Sequence, residues 1–370
     1  MGDKGDSVTF SDSKKRVTLL DVARVSGVSK GTVDRALHNR EGINPVVKLK
    51  IIDTARQLNY KPNRIARSLS IKKTTTIGLI YPQEPSFYWE KIRKGFDAAA
   101  SELEEFGLET IHGRFESLFD DCEAGIIRNI DLLIKGDVSA VVVVPYDTEP
   151  VQNKIAELNA AGIPVITLST DISNAGERIF FLGADNYQIG RAAAGLIGKF
   201  LRGQGDLLVV SMPLDTVSYH FRFRGFQEVI KQDYPDIRIV SHYRSNKYLE
   251  LHDRLNLKDI IFSHKLDGVY VMTSDPILGQ VAAIVEETVE PDRLVLVGHE
   301  VNDNIHHLLQ RNIITAVICQ HPFSQGYQTL KMLYQYIFDR KKPKSKVLKA
   351  RIDIFTKENS MSYDQGTDLY

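Results

Sequence analysis

Six short apolar runs end on residues that could do chemistry. Phe87 and Tyr88 follow TIGLIYP, Tyr146 and Asp147 follow AVVVVP, Ser169 to Asp171 follow PVITL, Ser274 and Asp275 follow VYVMT, Glu300 follows LVGH, and Gln320 ends AVICQ. Aromatic rings in such places can stack on the apolar face of a sugar. A carboxylate and an amide converging on one cleft suit a polyhydroxylated ligand, because together they accept and donate several hydrogen bonds at once. His299, His306, His307 and His321 fall in the same half of the chain, but no spacing suits a helix-borne metal pair and no nucleophile accompanies them. No GxGxxG, P-loop or GxSxG string occurs either, so no metal, cofactor or catalytic site is expected.

The elements that must position these residues follow a rhythm. From Thr76 onward, β-rich runs alternate with helical stretches: TIGLIYP, LETIHG, AVVVVP, PVITLS and FFLGAD, then GDLLVVS, IRIVSHY, DGVYVMT, RLVLVGH and TAVICQ. Alternation of this kind predicts an α/β fold of two doubly wound parallel-sheet lobes, with ligands bound outside the carboxyl ends of the strands.

The amino-terminal stretch differs. Between Lys14 and Lys73 there are 15 Lys/Arg against 4 Asp/Glu, so this segment carries +11 and, the whole chain being neutral, the rest carries −11. Such asymmetry points to a polyanion partner at this end. Its periodicity is helical. Thr18 and Asp21 can cap a helix that presents Leu20, Ala23 and Arg24 over successive turns and stops at Gly27. Ser29 can cap the next, SKGTVDRAL, whose Val33, Ala36 and Leu37 face inward and leave Lys30, Gly31, Asp34 and Arg35 outward. A third starts at Asn44–Pro45, with Val47, Ile51, Ala55 and Leu58 as its inward stripe. KPNRIARSL is too short for a stable isolated helix and should order only against DNA or a partner chain. Three such helices with a Gly-containing tight turn are the pattern of a helix-turn-helix DNA reader.

DVARVSGVSKGTVDRAL, NYKPNRIARSL and the following TIGLIYP together resemble the amino-terminal part of the lactose/galactose-repressor (LacI) family of bacterial transcription regulators. The resemblance implies that Lys30, Gly31 and Arg35 lie against base edges in the major groove while Ser29 and Thr32 hold phosphates. It also implies paired hinge helices built from PNRIARSL, with Asn63, Arg64, Ala66 and Leu69 on the DNA and Leu69 wedged into the minor groove. Asp34 and Gly31 depart from the family pattern, so the operator sequence does not carry over. Thr76 to Phe355 resembles the ribose-binding-protein-like effector domain of the same family, and implies that Arg222, in SYHFRFRGF, binds ligand hydroxyls. Ribose binders carry an Asp-Arg pair where this chain has Ser169 and Thr170, an Asn at Val144 and an Asp at Glu300, so the ligand need not be ribose.

The expected layout is an amino-terminal extension over 1–16, the reader over 17–61, a hinge and linker over 62–75, and an effector and dimerisation domain over 76–356. Within the last, one lobe takes 76–185 and 321–349, the other 186–320 and 350–356, and the chain crosses near Asp185, His321 and Ala350. The polar tail 357–370 reads as poorly ordered. Cys122 and Cys319 have no metal-ligand spacing and read as buried thiols of a reducing compartment. MGDKGDSVTFSDSKKR has no apolar core for a secretory signal and lacks the myristoylation pattern, and no apolar run reaches the ~18 residues of a membrane span. A cytoplasmic, homodimeric, non-enzymatic repressor controlled by a small sugar-like effector is therefore expected, with double-stranded operator DNA as its partner. The competing expectation is a carbohydrate-binding module or enzyme with a basic appendage.

Overall fold

Four-residue strands in which every side chain is buried, such as AVVV at 140–143 and GVYV at 268–271, can exist only where helices cover both sheet faces. The structure, a computed structural model, describes residues 17–37, 42–58, 60, 74–84, 86–117, 122–212, 217–245, 249–290 and 293–363. The helices up to Gln57 fall in one unit and 74–336 with 341–363 in another.

In the first unit α1 (Leu19–Ser26), α2 (Lys30–Leu37) and α3 (Pro45–Gln57) close around Val22, Ala23, Val33, Ala36, Ile51 and Ala55. Thr18 and Asp21 cap each other reciprocally, and Gly27 ends α1 in the left-handed conformation, at φ 74°. Leu20, which the spacing puts on one stripe with Ala23, is instead 57% exposed. The inward stripe is Leu19, Val22, Ala23 and Ser26, an i, i+3, i+4, i+7 set, and Leu20 lies about 100° off it.

The second unit holds two six-stranded sheets. The first is built from β1 (Thr75–Glu84), β2 (Leu108–Ser117), β3 (Ala140–Val143), β4 (Val165–Leu168), β5 (Phe181–Gly183) and β11 (Val347–Lys349), in the order β11-β5-β4-β3-β1-β2 and parallel throughout. The second takes β6 (Gln204–Ser211), β7 (Asp236–Arg244), β8 (Gly268–Val271), β9 (Val295–His299), β10 (Ala316–Cys319) and β12 (Asp353–Phe355), in the order β12-β10-β9-β8-β6-β7. Only β12 runs antiparallel there. The connecting helices are α4 (Ser86–Glu104), α5 (Cys122–Lys135), α6 (Glu149–Ala160), α7 (Asn186–Phe200), α8 (Val217–Asp233), α9 (Leu251–His264), α10 (Ile277–Thr288), α11 (Asp303–Gln310) and α12 (Pro322–Asp339). Alternate residues of the second sheet feed two cores, Leu208, Val210, Val269 and Val271 on one face and Leu207, Val209, Tyr270 and Val297 on the other. The strand order reverses between β1 and β3 and between β6 and β8, which opens a crevice at the carboxyl ends of both sheets.

The segment after β12 departs from the expectation of a poorly ordered tail. Residues 360–362 form a turn of 3-10 helix in which Ser360 is fully buried, its hydroxyl meeting His306 Nδ1 at 3.0 Å and accepting from Gln310 Nε2 at 3.1 Å. Tyr363 donates to Asp303. The partners sit on α11, far back in the chain, so no local pattern announces them.

Candidate effector cleft and DNA-reading face

On the amino-terminal unit, Ser29 caps α2 by accepting from the Thr32 amide at 3.2 Å, and its hydroxyl meets the Thr32 hydroxyl at 2.9 Å. Lys30, Gly31 and Arg35 are exposed around this helix start. A Cβ at Gly31 would meet only Ser29 Oγ, at 3.8 Å, so packing does not require glycine there. The helix terminus, its capping hydroxyls and two cations thus face outward together, an arrangement suited to phosphate and base edges. Asn63, Arg64, Ala66 and Leu69 lie outside the described residues.

In the second unit, three strand ends turn through the left-handed region at non-glycine residues: Ser169 (φ 63°) after β4, Glu300 (φ 60°) after β9 and His321 (φ 53°) after β10. Such backbone is held only where its surroundings impose it, and it clusters at functional sites. Here Ser169 and Glu300 enter one hydrogen-bonded chain, while the His321 ring bonds Asp353 at 2.9 Å. Arg222 on α8, 5% exposed, donates to Met272 O at 2.6 Å, to Asn186 Oδ1 from Nε at 3.1 Å and Nη2 at 2.6 Å, and to Gln320 Oε1 at 3.4 Å. Gln320 donates to Glu300 Oε1 from its amide at 3.1 Å and Nε2 at 2.9 Å. Gln325 at the start of α12 continues the chain, donating to Gln320 O at 2.8 Å and to the Tyr88 hydroxyl at 3.3 Å, which in turn meets Ser169 Oγ at 3.3 Å. Side chains from both sheets are therefore joined by one polar relay. Lys91 adds a second tie, from α4 to Val301 O at 3.2 Å.

Burial dominates the electrostatics. It raises the Glu300 carboxyl above its ordinary range, raises the Tyr88 and Cys319 ionisations, and holds His299 well below the usual histidine value. Cys319 Sγ donates to Glu300 Oε2 at 3.2 Å. His299 bonds Tyr270 OH at 3.0 Å through Nε2, and its buried Nδ1 has no partner. Among the described residues no group of three or more His, Cys, Asp or Glu could hold a metal ion.

Tyr88, Ser169, Arg222, Glu300 and Gln320 are thus brought together. The other sequence-derived candidates are placed differently. Asp171 is held bidentately by Arg178, at 2.6 Å on each oxygen, and accepts from Thr167 Oγ1 at 2.7 Å. Asp147 accepts from Gln152 Nε2 at 2.8 Å and the Ser173 amide at 3.0 Å. Asp275 accepts from Asn302 Nδ2 at 2.9 Å and the Gly279 amide at 3.2 Å, and Ser274 Oγ donates to Asp275 O at 3.3 Å. These carboxylates brace the strand-end loops. Tyr146 packs on the α5–α6 core, and Phe87 lies half-buried under Lys91 Nζ, 4.8 Å from its ring centre. Asn186 and Gln325 complete the relay and escape sequence reasoning, whereas His299, weighed there only for a metal or catalytic role, lies buried against Tyr270. Asn186 alone carries a signal, as the first residue after the FFLGAD strand end.

Residues 18–63 match the family described as bacterial regulatory proteins, lacI family, and residues 77–341 match the periplasmic binding protein domain. The catabolite control protein A of Streptococcus mutans is 27% identical over 58% of this chain and 61% of its own length; that of Priestia megaterium is 20% identical over 87% and 92%. The chain thus spans less than two thirds of the first of these relatives. Among solved structures, the glucose-galactose binding protein GanP from Geobacillus stearothermophilus shares the fold at a TM-score of 0.67 and 23% identity, covering 78% of this chain and 99% of GanP. No helix among the described residues is long and apolar enough to cross a membrane. By its larger part the chain belongs to the family of periplasmic binding protein domains, and residues 18–63 carry a DNA-binding domain of the family described as bacterial regulatory proteins, lacI family.

Proposed function

We propose that the protein is a cytoplasmic, homodimeric repressor that acts by binding alone, its hold on operator DNA set by a neutral polyhydroxylated effector between the lobes of 76–356. The observation that carries this is the buried relay through Arg222. The guanidinium offers five N–H donors and four bonds are made to Asn186, Met272 and Gln320, which leaves one Nη1 hydrogen for a ligand. Glu300, its carboxyl held toward the neutral form, and Gln320 supply acceptors and donors beside it, and the Tyr88 ring supplies a stacking face. That set matches a sugar or polyol better than a charged ligand, and the likeness to a glucose-galactose binding protein agrees with it. Dimer formation is supported by α9, where Leu251 (74% exposed), Leu255 (54%) and Phe262 (77%) share one face. A ligand that prefers one lobe arrangement alters the spacing of two readers, with hinges over 62–75, and so their grip on a pseudo-palindromic site. The sign follows from which arrangement the effector prefers.

The test is fluorescence anisotropy on a duplex from upstream of the protein's own gene, across a salt series, with a panel of neutral sugars and polyols. The expected result is steeply salt-dependent binding that one sugar shifts, and loss of that shift by at least about 10-fold in sugar concentration for Arg222→Met, the value of one charge-assisted hydrogen bond. An Arg222→Met protein that answers the sugar as the wild type does would refute the assignment.

A further inference from the structure

After β12 the chain turns back and lies along α11. The turn is held locally, by the Thr356 amide donating to Asn359 Oδ1 at 2.7 Å and Asn359 Nδ2 to Ile354 O at 3.0 Å. Asp303, His306 and Gln310 stand at i, i+3 and i+7 on α11, so they form one polar stripe beside the core-facing Ile305, Leu308 and Leu309. Each member of the stripe holds the returning strap. Gln310 Nε2 donates to Lys357 O at 2.7 Å as well as to Ser360 Oγ, the His306 ring stacks on Tyr363 with centres 5.9 Å apart, and Asp303 accepts from the Tyr363 hydroxyl. A 3-10 turn of three residues has little stability of its own, so these bonds set the course of the strap.

What the strap delivers is the Tyr363 ring. Its centre lies 5.1 Å from Lys91 Nζ, on the helix that follows β1 of the first sheet. The same ammonium lies 4.8 Å from the Phe87 ring, one turn earlier on α4, and donates at 3.2 Å to Val301 O, just past β9 of the second sheet. Phe87 thus belongs to the lobe of Lys91, and Val301 and Tyr363 belong to the other. Cation–π attraction and a charge-assisted hydrogen bond are both contact-range interactions. A lobe rotation that parts them leaves Lys91 with Phe87 alone. The tie is therefore made in one lobe arrangement and broken in another, the differential contact on which a two-state element depends.

We propose that residues 356–363 are a latch between the lobes. Helix α11 fixes the strap, the strap presents Tyr363, and Tyr363 together with Val301 O captures Lys91 and weights the lobe equilibrium toward the arrangement in which they meet. The latch acts on the lobes themselves, so it stands whether or not the effector is a sugar. Losing the Tyr363 ring should shift the ratio of the two arrangements by about 3- to 10-fold, the value of one partly desolvated cation–π contact.

The test is double electron–electron resonance on the full chain, with genetically encoded keto residues carrying spin labels in place of Lys135 on α5 and Lys231 on α8. Both positions are exposed, one on each lobe, and dilution with unlabelled chain removes distances between copies. Tyr363→Leu should move the distance populations by the stated ratio, away from the arrangement that dominates in the wild type. Lys91→Met leaves the strap on α11 and also removes the bond to Val301 O, so it should move them at least as far. The double variant should match Lys91→Met, because one interaction cannot be lost twice. Unshifted populations in both single variants, or shifts that add in the double variant, would overturn the latch.

Discussion

Helices α4 and α12 cross so closely that each needs a glycine where the other passes. A Cβ on Gly95 would lie 2.1 Å from Phe323 O and 2.8 Å from Tyr327 N, and one on Gly326 would lie 2.2 Å from Ile92 O. Those neighbours are backbone atoms, so no rotamer change can relieve the contact. In Gly95→Ala the helices must part by about 1.2 Å to restore van der Waals distance in a close-packed interior. Overpacking of this kind costs about 1–3 kcal/mol. It also acts on the relay, because Tyr88 on α4 and Gln325 on α12 are joined at 3.3 Å, and that bond does not survive such a separation. At roughly 2–4 °C per kcal/mol for a domain of this size, melting should fall by about 2–12 °C. Gly195→Ala on α7 is the internal control, since a Cβ there meets nothing within 4 Å. Replacing a helical glycine where space is open should raise stability by about 0.5–1 kcal/mol. Differential scanning calorimetry of the two variants beside the wild type decides the matter. If Gly95→Ala melts with the wild type or shifts upward like Gly195→Ala, the close-crossing account is wrong.

Two further substitutions separate stability from binding. Burial raises the Glu300 carboxyl above its ordinary 4.5, so the folded state holds that proton more tightly than the unfolded chain does. Its stabilisation is present below pH 4.5 and is lost as pH rises through the folded-state value, so melting of Glu300→Gln relative to wild type should rise across that window and then level off. A difference that stays constant between pH 4 and pH 8 would count against a buried, perturbed carboxyl. Asp171→Asn leaves the guanidinium of Arg178, with a side chain only 2% exposed, without its bidentate partner and should cost about 3–5 kcal/mol in chemical denaturation. Unchanged stability with weakened sugar binding would return Asp171 to the ligand.

The strands were readable because parallel strands covered on both faces must be short and apolar throughout, as AVVV and AVIC are. The caps were readable because Thr18–Asp21 and Asn44–Pro45 act within one helical turn. Leu20 misled because its spacing to Ala23 fits a helical stripe, while the helix turns it about 100° away from Leu19. Among the polar residues at strand ends, sequence position says which can face the crevice and not which are spent on neighbours. Asp147, Asp171 and Asp275 look as available as Glu300 until Gln152, Arg178 and Asn302 are seen to occupy them.

By itself the sequence determined the division into a basic helical reader and a two-lobed α/β domain, because charge asymmetry and hydrophobic period are local properties that every stretch carries with it. It determined the lacI-type resemblance at the amino end for the same reason, since DVARVSGVSKGTVDRAL and PNRIARSL are contiguous. Only tertiary structure decided that Gln325 links Tyr88 to Gln320 across 237 and 5 positions, that residues 360–363 pack on α11, and that Tyr363 meets Lys91 of the other lobe. Those features depend on which distant side chains use up one another's hydrogen bonds, and that is settled when the chain closes.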